Sequence, residues 1–261
     1  MEAAQNSPVQ RIFPVLLFFV GLIGLYYLYL YLFGPTTGNK YVLIDKTQEA
    51  TEPVDTDKVI LPKIYEGGEF SFSTWIYINN WTTGNNRTKS IIRMGNGEYD
   101  TIRIYLGRVK PSLQVRLTSE IPTTLPANDT CKYYKGHTEI SEPLTDTTGC
   151  NTCDIPEVDL QKWVNITVAV SSRIVDVYID GKLSRSCVLD NMYKISDKYS
   201  VKILNNGGFG GKISTTVMYD TALNPEQVYK NYMSGPEPIT SLKQWLLSFF
   251  APGVDIAITT K

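Results

Sequence analysis

Histidine is almost missing from this chain, which has one imidazole, His137, in 261 residues. It stands in a Cys-, Lys- and Tyr-rich loop with no serine or cysteine in a recognisable nucleophile arrangement, so it reads as an exposed loop side chain and not as part of a triad. An excess of charge is missing too. With 25 basic against 26 acidic residues and a formal net charge of −1, there is neither the basic field that nucleic acid demands nor an acidic tail. Helical periodicity is nearly absent beyond the N-terminal region, which excludes a parallel sheet built from strand–helix–strand units. Closely spaced carboxylates are also lacking. Asp176 and Asp180 share a strand face but stand about 13 Å apart along it, beyond the roughly 5 to 9.5 Å of a glycosidase pair, and Asp180 belongs to a turn. No catalytic residue, metal site or cofactor is expected, and no nucleic-acid partner.

What the chain does contain begins with an uncharged run from Ile12 to Phe33. At about 1.5 Å per residue its 22 residues reach roughly 33 Å, enough for a hydrocarbon core of about 30 Å, so residues 12–33 are expected to form a transmembrane helix behind a short tail, 1–11. A cleaved signal peptide fits less well, because the run exceeds the usual 7 to 15 residues, roughly, and no small-x-small cleavage site follows it. Tyr26, Tyr27, Tyr29 and Tyr31 crowd its C-terminal end, where amphipathic rings favour the headgroup region. Arg11 on one side and Lys40 and Lys46 on the other balance, so charge does not choose an orientation.

Residues 34–66, rich in Thr, Pro, Asp and Lys, read as a stalk whose short apolar piece, Tyr41 to Ile44, lies over the domain surface. Period-two alternation then sets in. "EFSFSTWIYINNW" places Phe70, Phe72, Thr74, Ile76 and Ile78 on one face, and "TIRIYLG", "SLQVRL" and "WVNITVAV" repeat the pattern. "VDVYIDGKLSRSC" is a hairpin around Asp180-Gly181, since Asp-Gly tolerates the positive φ of a tight turn. "YSVKIL" and "GKISTTVMY" supply two more strands. A short helix is expected at "ALNPEQVYKNYMSG", with Asn224 as cap, Pro225 in the first turn, Gln227 reaching back and Gly235 as terminator. The chain is therefore mainly β, an antiparallel two-sheet sandwich over residues 67–235 that carries a long insertion at 119–159.

Four cysteines, Cys131, Cys150, Cys153 and Cys187, admit disulfides, free thiols or zinc. Zinc would require the distant Cys187 to join three loop cysteines, and a redox Cys-x-x-Cys would want a helix that the β pattern lacks. Disulfides are expected, Cys153 with Cys187 because both flank core strands, and Cys131 with Cys150 across the insertion.

The ordered series "FSFSTWIYI", "LQKWVNITVAV", "VDVYIDGKLSRSC" and "GGFGGKISTTVMYDTALNPEQVYKNYMSGP" resembles the laminin-G-like branch of the concanavalin A-like lectin and glucanase jelly rolls over residues 67 to 235. The resemblance implies two stacked antiparallel sheets with sugar- or partner-binding loops on one rim. The family's glucanase pattern, Glu-x-Asp-x-x-Glu, is absent, so the resemblance does not imply catalysis. A single N-terminal span joined to such a jelly roll also resembles membrane-anchored proteins of large double-stranded DNA viruses.

On the rim, "NNWTTGNNRT" and "LNNGGFGG" offer Trp81, Asn85, Asn205 and Phe209 as candidate glycan contacts, although tight turns demand the same residue types. Four sequons, at Asn80, Asn86, Asn128 and Asn165, are possible glycosylation sites, though Asn/Thr-rich loops also produce them by chance. After the domain closes, the tail 236–261 places Leu242, Trp245, Leu246 and Phe249 on one helical face, behind a Ser241/Gln244 capping box. At about ten residues such a helix is marginal alone and needs a surface, whether its own jelly roll, a partner protein or a bilayer.

Two functions fit. One is a non-enzymatic, single-pass structural protein of a virion or host membrane, a minor capsid component joining membrane to shell, with the bilayer and capsid proteins as partners. The other is a membrane-anchored lectin-like protein that binds glycans. The first is preferred on the sequence.

Overall fold

The computed structural model describes residues 8–33, 38–54, 56, 59–84, 87–96, 99–108, 110–119 and 152–237. Two units divide the chain, Met1–Thr37 and Gly38–Lys261. In the first, helix α1 runs over Pro8–Phe33. Its described side chains fall within 14–28, about 22 Å of helix, so among the described residues no helix is long and apolar enough to cross a membrane. The span expected over 12–33 is therefore not carried by the described residues.

The second unit is a sandwich of two antiparallel sheets. Among the described residues sheet A has seven strands: β1 (Lys40–Ile44), β2 (Gln48–Glu49), β3 (Glu69–Asn80), β7 (Trp163–Ser171), β8 (Ile174–Ile179), β9 (Lys182–Val188) and β11 (Gly210–Tyr219). They run β1-β11-β3-β7-β8-β9, with β2 paired beside β11. Sheet B has, among the described residues, four strands, β4 (Lys89–Gly95), β5 (Asp100–Leu106), β6 (Leu113–Leu117) and β10 (Ser200–Ile203), in the order β10-β4-β5-β6. The segment read as stalk thus contributes to the sheet. Tyr41 to Ile44 do not lie over the surface but form an edge strand, with Lys40 opposite Tyr219 and Val42 opposite Val217.

Alternation explains the core. Phe70, Phe72, Ile76 and Ile78 of β3 and Val164, Ile166, Val168 and Val170 of β7 point inward and meet Ile92, Met94, Ile102, Ile104, Val115 and Val201 of sheet B, all at most 1% exposed. One polar pair sits among them, the Thr74 and Thr216 hydroxyls 2.7 Å apart, which satisfies both groups away from water. Tyr193, fully buried, packs edge-on against Phe70 at 5.2 Å and donates to the Tyr65 carbonyl at 3.0 Å. Burial raises its phenol well above the ordinary tyrosine range.

The hairpin forms as expected. Asp180 and Gly181 adopt φ of 49° and 75°, and a Cβ on Gly181 would come within 3.0 Å of Tyr232, so both the turn and the helix above it demand glycine. Cys153 and Cys187 are bonded. Because Ile155 and Thr152 pair with Leu113 and Arg116 of β6, this disulfide joins the margin of sheet B to edge strand β9 of sheet A. Cys131 and Cys150 lie outside the described residues, as do His137 and the tail positions Leu242, Trp245, Leu246 and Phe249.

Candidate functional site

The outward face of sheet A is divided. Toward the Tyr219 end it is covered by helix α2 (Pro225–Met233), whose start is fixed by a reciprocal cap: Gln227 N donates to Asn224 Oδ1 at 2.9 Å, and Asn224 N donates to Gln227 Oε1 at 3.0 Å. Gly235 follows at φ 75°. Val228 of α2 is fully buried in a small second core with Ala169, Tyr178, Val217, Tyr219 and Leu223. Tyr232 stacks on Trp75, with centroids 5.6 Å apart and planes 19° from parallel.

Beyond Trp75 the cover ends. The next outward residue of β3 is Tyr77, which sits directly across from Trp163 on β7 and packs against it at 5.6 Å with planes tilted by 59°. Both rings are half-buried, and they lie in a groove of about 670 Å³. Asn79, Lys212, Thr47, Pro236 and Glu237 complete its lining. Local chemistry fixes each wall. Lys212 pairs with Tyr77 on one side and Glu49 on the other, and Thr47 donates to Ser214 Oγ at 2.9 Å. The Pro236 carbonyl accepts from the Ser214 and Thr215 hydroxyls at 2.7 and 2.6 Å, which holds the chain after α2 along the groove. An aromatic floor bordered by amide, hydroxyl, ammonium and carboxylate groups can accept the apolar face of a ring-shaped ligand and hydrogen-bond its edges.

Of the expected rim contacts, the described residues Trp81, Asn205 and Phe209 are not brought into this groove. Phe209 is fully buried in the core, because the backbone after Gly208 turns its side chain between the sheets; it is corrected from glycan contact to core residue. Asn205 accepts the Ser90 hydroxyl at 2.7 Å and is partly buried. Trp81 packs against the core, and the Lys89 ammonium lies 3.9 Å from its ring centroid, occupying one face. Burial holds Lys89 below the usual lysine range. Asn85 lies outside the described residues, as do Asn86 and Asn128. Asn165 is fully buried, its Nδ2 donating to Ser73 and to the Thr74 carbonyl, so it is corrected from glycosylation site to structural residue. Asn80 is exposed at the end of β3.

Sequence reasoning missed Tyr77 and Trp163. The signal was present, since both sit at outward positions where Ser71, Ser73, Asn165 and Thr167 set the norm.

Sheet B has a different outer surface. Lys202, Arg93, Arg103 and Arg116 stand in register across its four strands. Asp100 takes Arg93 at 2.5 Å and also Arg103, and Asp154 takes Arg116. These carboxylates are committed to ion pairs, and no acid–base pair of the glycosidase kind is formed by them. Among the described residues no group of His, Cys, Asp or Glu is arranged to hold a metal ion.

Two antiparallel sheets, a capping helix on one of them and an open aromatic groove define a lectin-like sandwich. Residues 51–229 match Laminin_G_3, the Concanavalin A-like lectin/glucanases superfamily, and the chain belongs to that family. No curated protein matches it. Among solved structures it is similar to the botulinum neurotoxin serotype D binding domain, at 11% identity over 78% of this chain and 48% of that one, with a TM-score of 0.50. It is also similar to the receptor binding domain of botulinum neurotoxin C/D mosaic serotype, at 12% identity over 76% and 46%, with a TM-score of 0.49. The chain spans about half the length of these structures, and at such identity the likeness is one of fold alone.

Proposed function

We propose that the chain is a non-enzymatic glycan-binding module carried on a membrane anchor. The observation that carries the reading is the Tyr77–Trp163 floor, an aromatic pair left open on a sheet face where the outward aromatics Trp75, Tyr178 and Tyr219 are covered. Sugars present an apolar C–H face and a polar edge, and this groove offers the complement of both: two rings below, with Asn79, Lys212 and Glu237 at the margin. The family membership supports a binding role and leaves the ligand to be decided by the site. The anchor reading rests on the uncharged run 12–33 and on the helical backbone it adopts. The alternative, a shell-to-membrane linker in a virion, depends on tail residues outside the described structure, and no described feature favours it.

The test is a glycan array probed with the detergent-solubilised full chain, followed by titration of any hit. Trp163→Ala should weaken binding about tenfold, the equivalent of roughly 1.4 kcal/mol, while the far-ultraviolet circular dichroism stays unchanged. No binding across a broad array, or binding indifferent to Trp163→Ala and Tyr77→Ala, would overturn the reading.

A further inference from the structure

We infer that the sandwich matures on the oxidising, non-cytosolic side of a membrane, where Asn80 becomes the attachment point of an N-linked glycan. Two independent observations lead there.

The first is chemical compartment. Cys153 is fully buried and bonded to Cys187, and this bond joins the margin of sheet B to edge strand β9 of sheet A. A disulfide with a structural role of this kind persists in oxidising compartments and is rare where thiol reductants dominate.

The second is the geometry of one sequon. Asn80-Trp81-Thr82 sits where β3 ends, opposite Gly210, with Asn80 and Thr82 both exposed. The Asn80 Oδ1 accepts from the Thr82 backbone N–H at 2.9 Å and from the Thr82 hydroxyl at 2.7 Å. The turn therefore engages the carbonyl end of the amide and leaves Nδ2 without a hydrogen-bond partner among the described residues. Asn165-Ile166-Thr167 is the opposite case. Its asparagine is 0% exposed and its Nδ2 is spent on Ser73 and Thr74, so a glycan there is incompatible with the folded sheet. Identical sequence signals thus separate into one acceptor and one structural asparagine.

The step is a glycosyl transfer from a lipid-linked oligosaccharyl pyrophosphate. The bond between the anomeric carbon and the pyrophosphate oxygen breaks, a bond from that carbon to Asn80 Nδ2 forms, and Nδ2 loses one proton while the lipid pyrophosphate departs; no electrons are gained or lost overall.

The full chain expressed in a eukaryotic cell provides the test. Endoglycosidase treatment should collapse a ladder of slower-migrating bands. Asn80→Gln and Thr82→Ala should each remove one step of that ladder, Thr82→Ser should restore it, and no step should be assignable to Asn165 by glycopeptide mass spectrometry. Cys153 and Cys187 should react with a thiol reagent only after reduction. An unshifted chain, a ladder that keeps all its steps in Thr82→Ala, glycan found on Asn165, or thiols reactive without reduction would overturn the inference. None of these results depends on whether the groove binds sugar, so the two readings fail separately.

Discussion

The two halves of the outward face of sheet A have the same strands beneath them and the same side-chain parity, yet they are different surfaces. Under α2, Trp75 is 6% exposed and stacked on Tyr232; one outward position further along β3, Tyr77 meets Trp163 in an open groove. Alternation along a strand determines which face a residue takes. It says nothing about what covers that face, and here a nine-residue helix, Pro225–Met233, makes the difference between a second core and an open groove.

The sharpest way to break this comparison is to remove one tryptophan from each half. Trp75→Ala should cost about 3 to 5 kcal/mol of stability, as loss of a buried tryptophan does, whereas Trp163→Ala should cost less than about 1 kcal/mol and show its effect in ligand binding. Chemical denaturation of both variants checks this; equal losses would mean that the groove is part of the core. The disulfide lies at the sandwich margin and belongs to neither half. Replacing Cys153 and Cys187 together by serine opens a loop with a sequence separation of 34 and should lower stability by about 3 to 4 kcal/mol while leaving the affinity of the groove unchanged in the protein that remains folded.

Alkaline titration examines the buried side. Burial raises Tyr178 and Tyr219 in the covered half, Tyr193 in the main core and the partly buried Tyr199 packed against it, above the usual phenol range. A raised folded-state value means that the protonated phenol favours folding, a contribution fully present below the unfolded value of about 10 and lost as pH rises through the higher folded value. The melting temperature should be flat with respect to these groups near pH 8 and fall above about pH 10, and Tyr219→Phe should flatten that fall. The smallest effect concerns the cover itself. Asn224→Ala removes the cap of α2 and should cost about 1 kcal/mol, again without touching the groove.

Much of the fold was legible. The strands from β5 to β9, the Asp180-Gly181 turn, the Cys153–Cys187 pair and the capped helix all follow from local chemistry: period, positive φ and capping residues. Strand β4 was not legible, because Ile91 and Ile92 are both fully buried across a bulge and the run "KSIIRMG" loses its alternation. The role of β1 was also hidden, since the short apolar piece Tyr41 to Ile44 becomes a strand only when β11 is beside it. At the site, Phe209 and Asn205 looked like rim residues because glycine and asparagine surround them, but a chain that reverses through positive φ at Leu204, Asn206, Gly207 and Gly208 can aim a side chain inward as readily as outward. Tyr77 and Trp163 were visible as exceptions on a polar face, and only tertiary cover could say which exceptions stayed open.

The edge strand β1 also gives the molecule a mechanical direction. The chain enters the sandwich at Gly38, next to Asn39, whose backbone and side-chain N–H groups donate to Asp220 at 2.8 and 2.7 Å, and β1 then runs antiparallel along β11 from Tyr219. The groove sits at the other end of that strand, where Lys212 pairs with Tyr77. A pull between Gly38 and a ligand held in the groove would therefore act along the strands, at right angles to the hydrogen bonds that join them. Those bonds would share the force side by side instead of opening one after another.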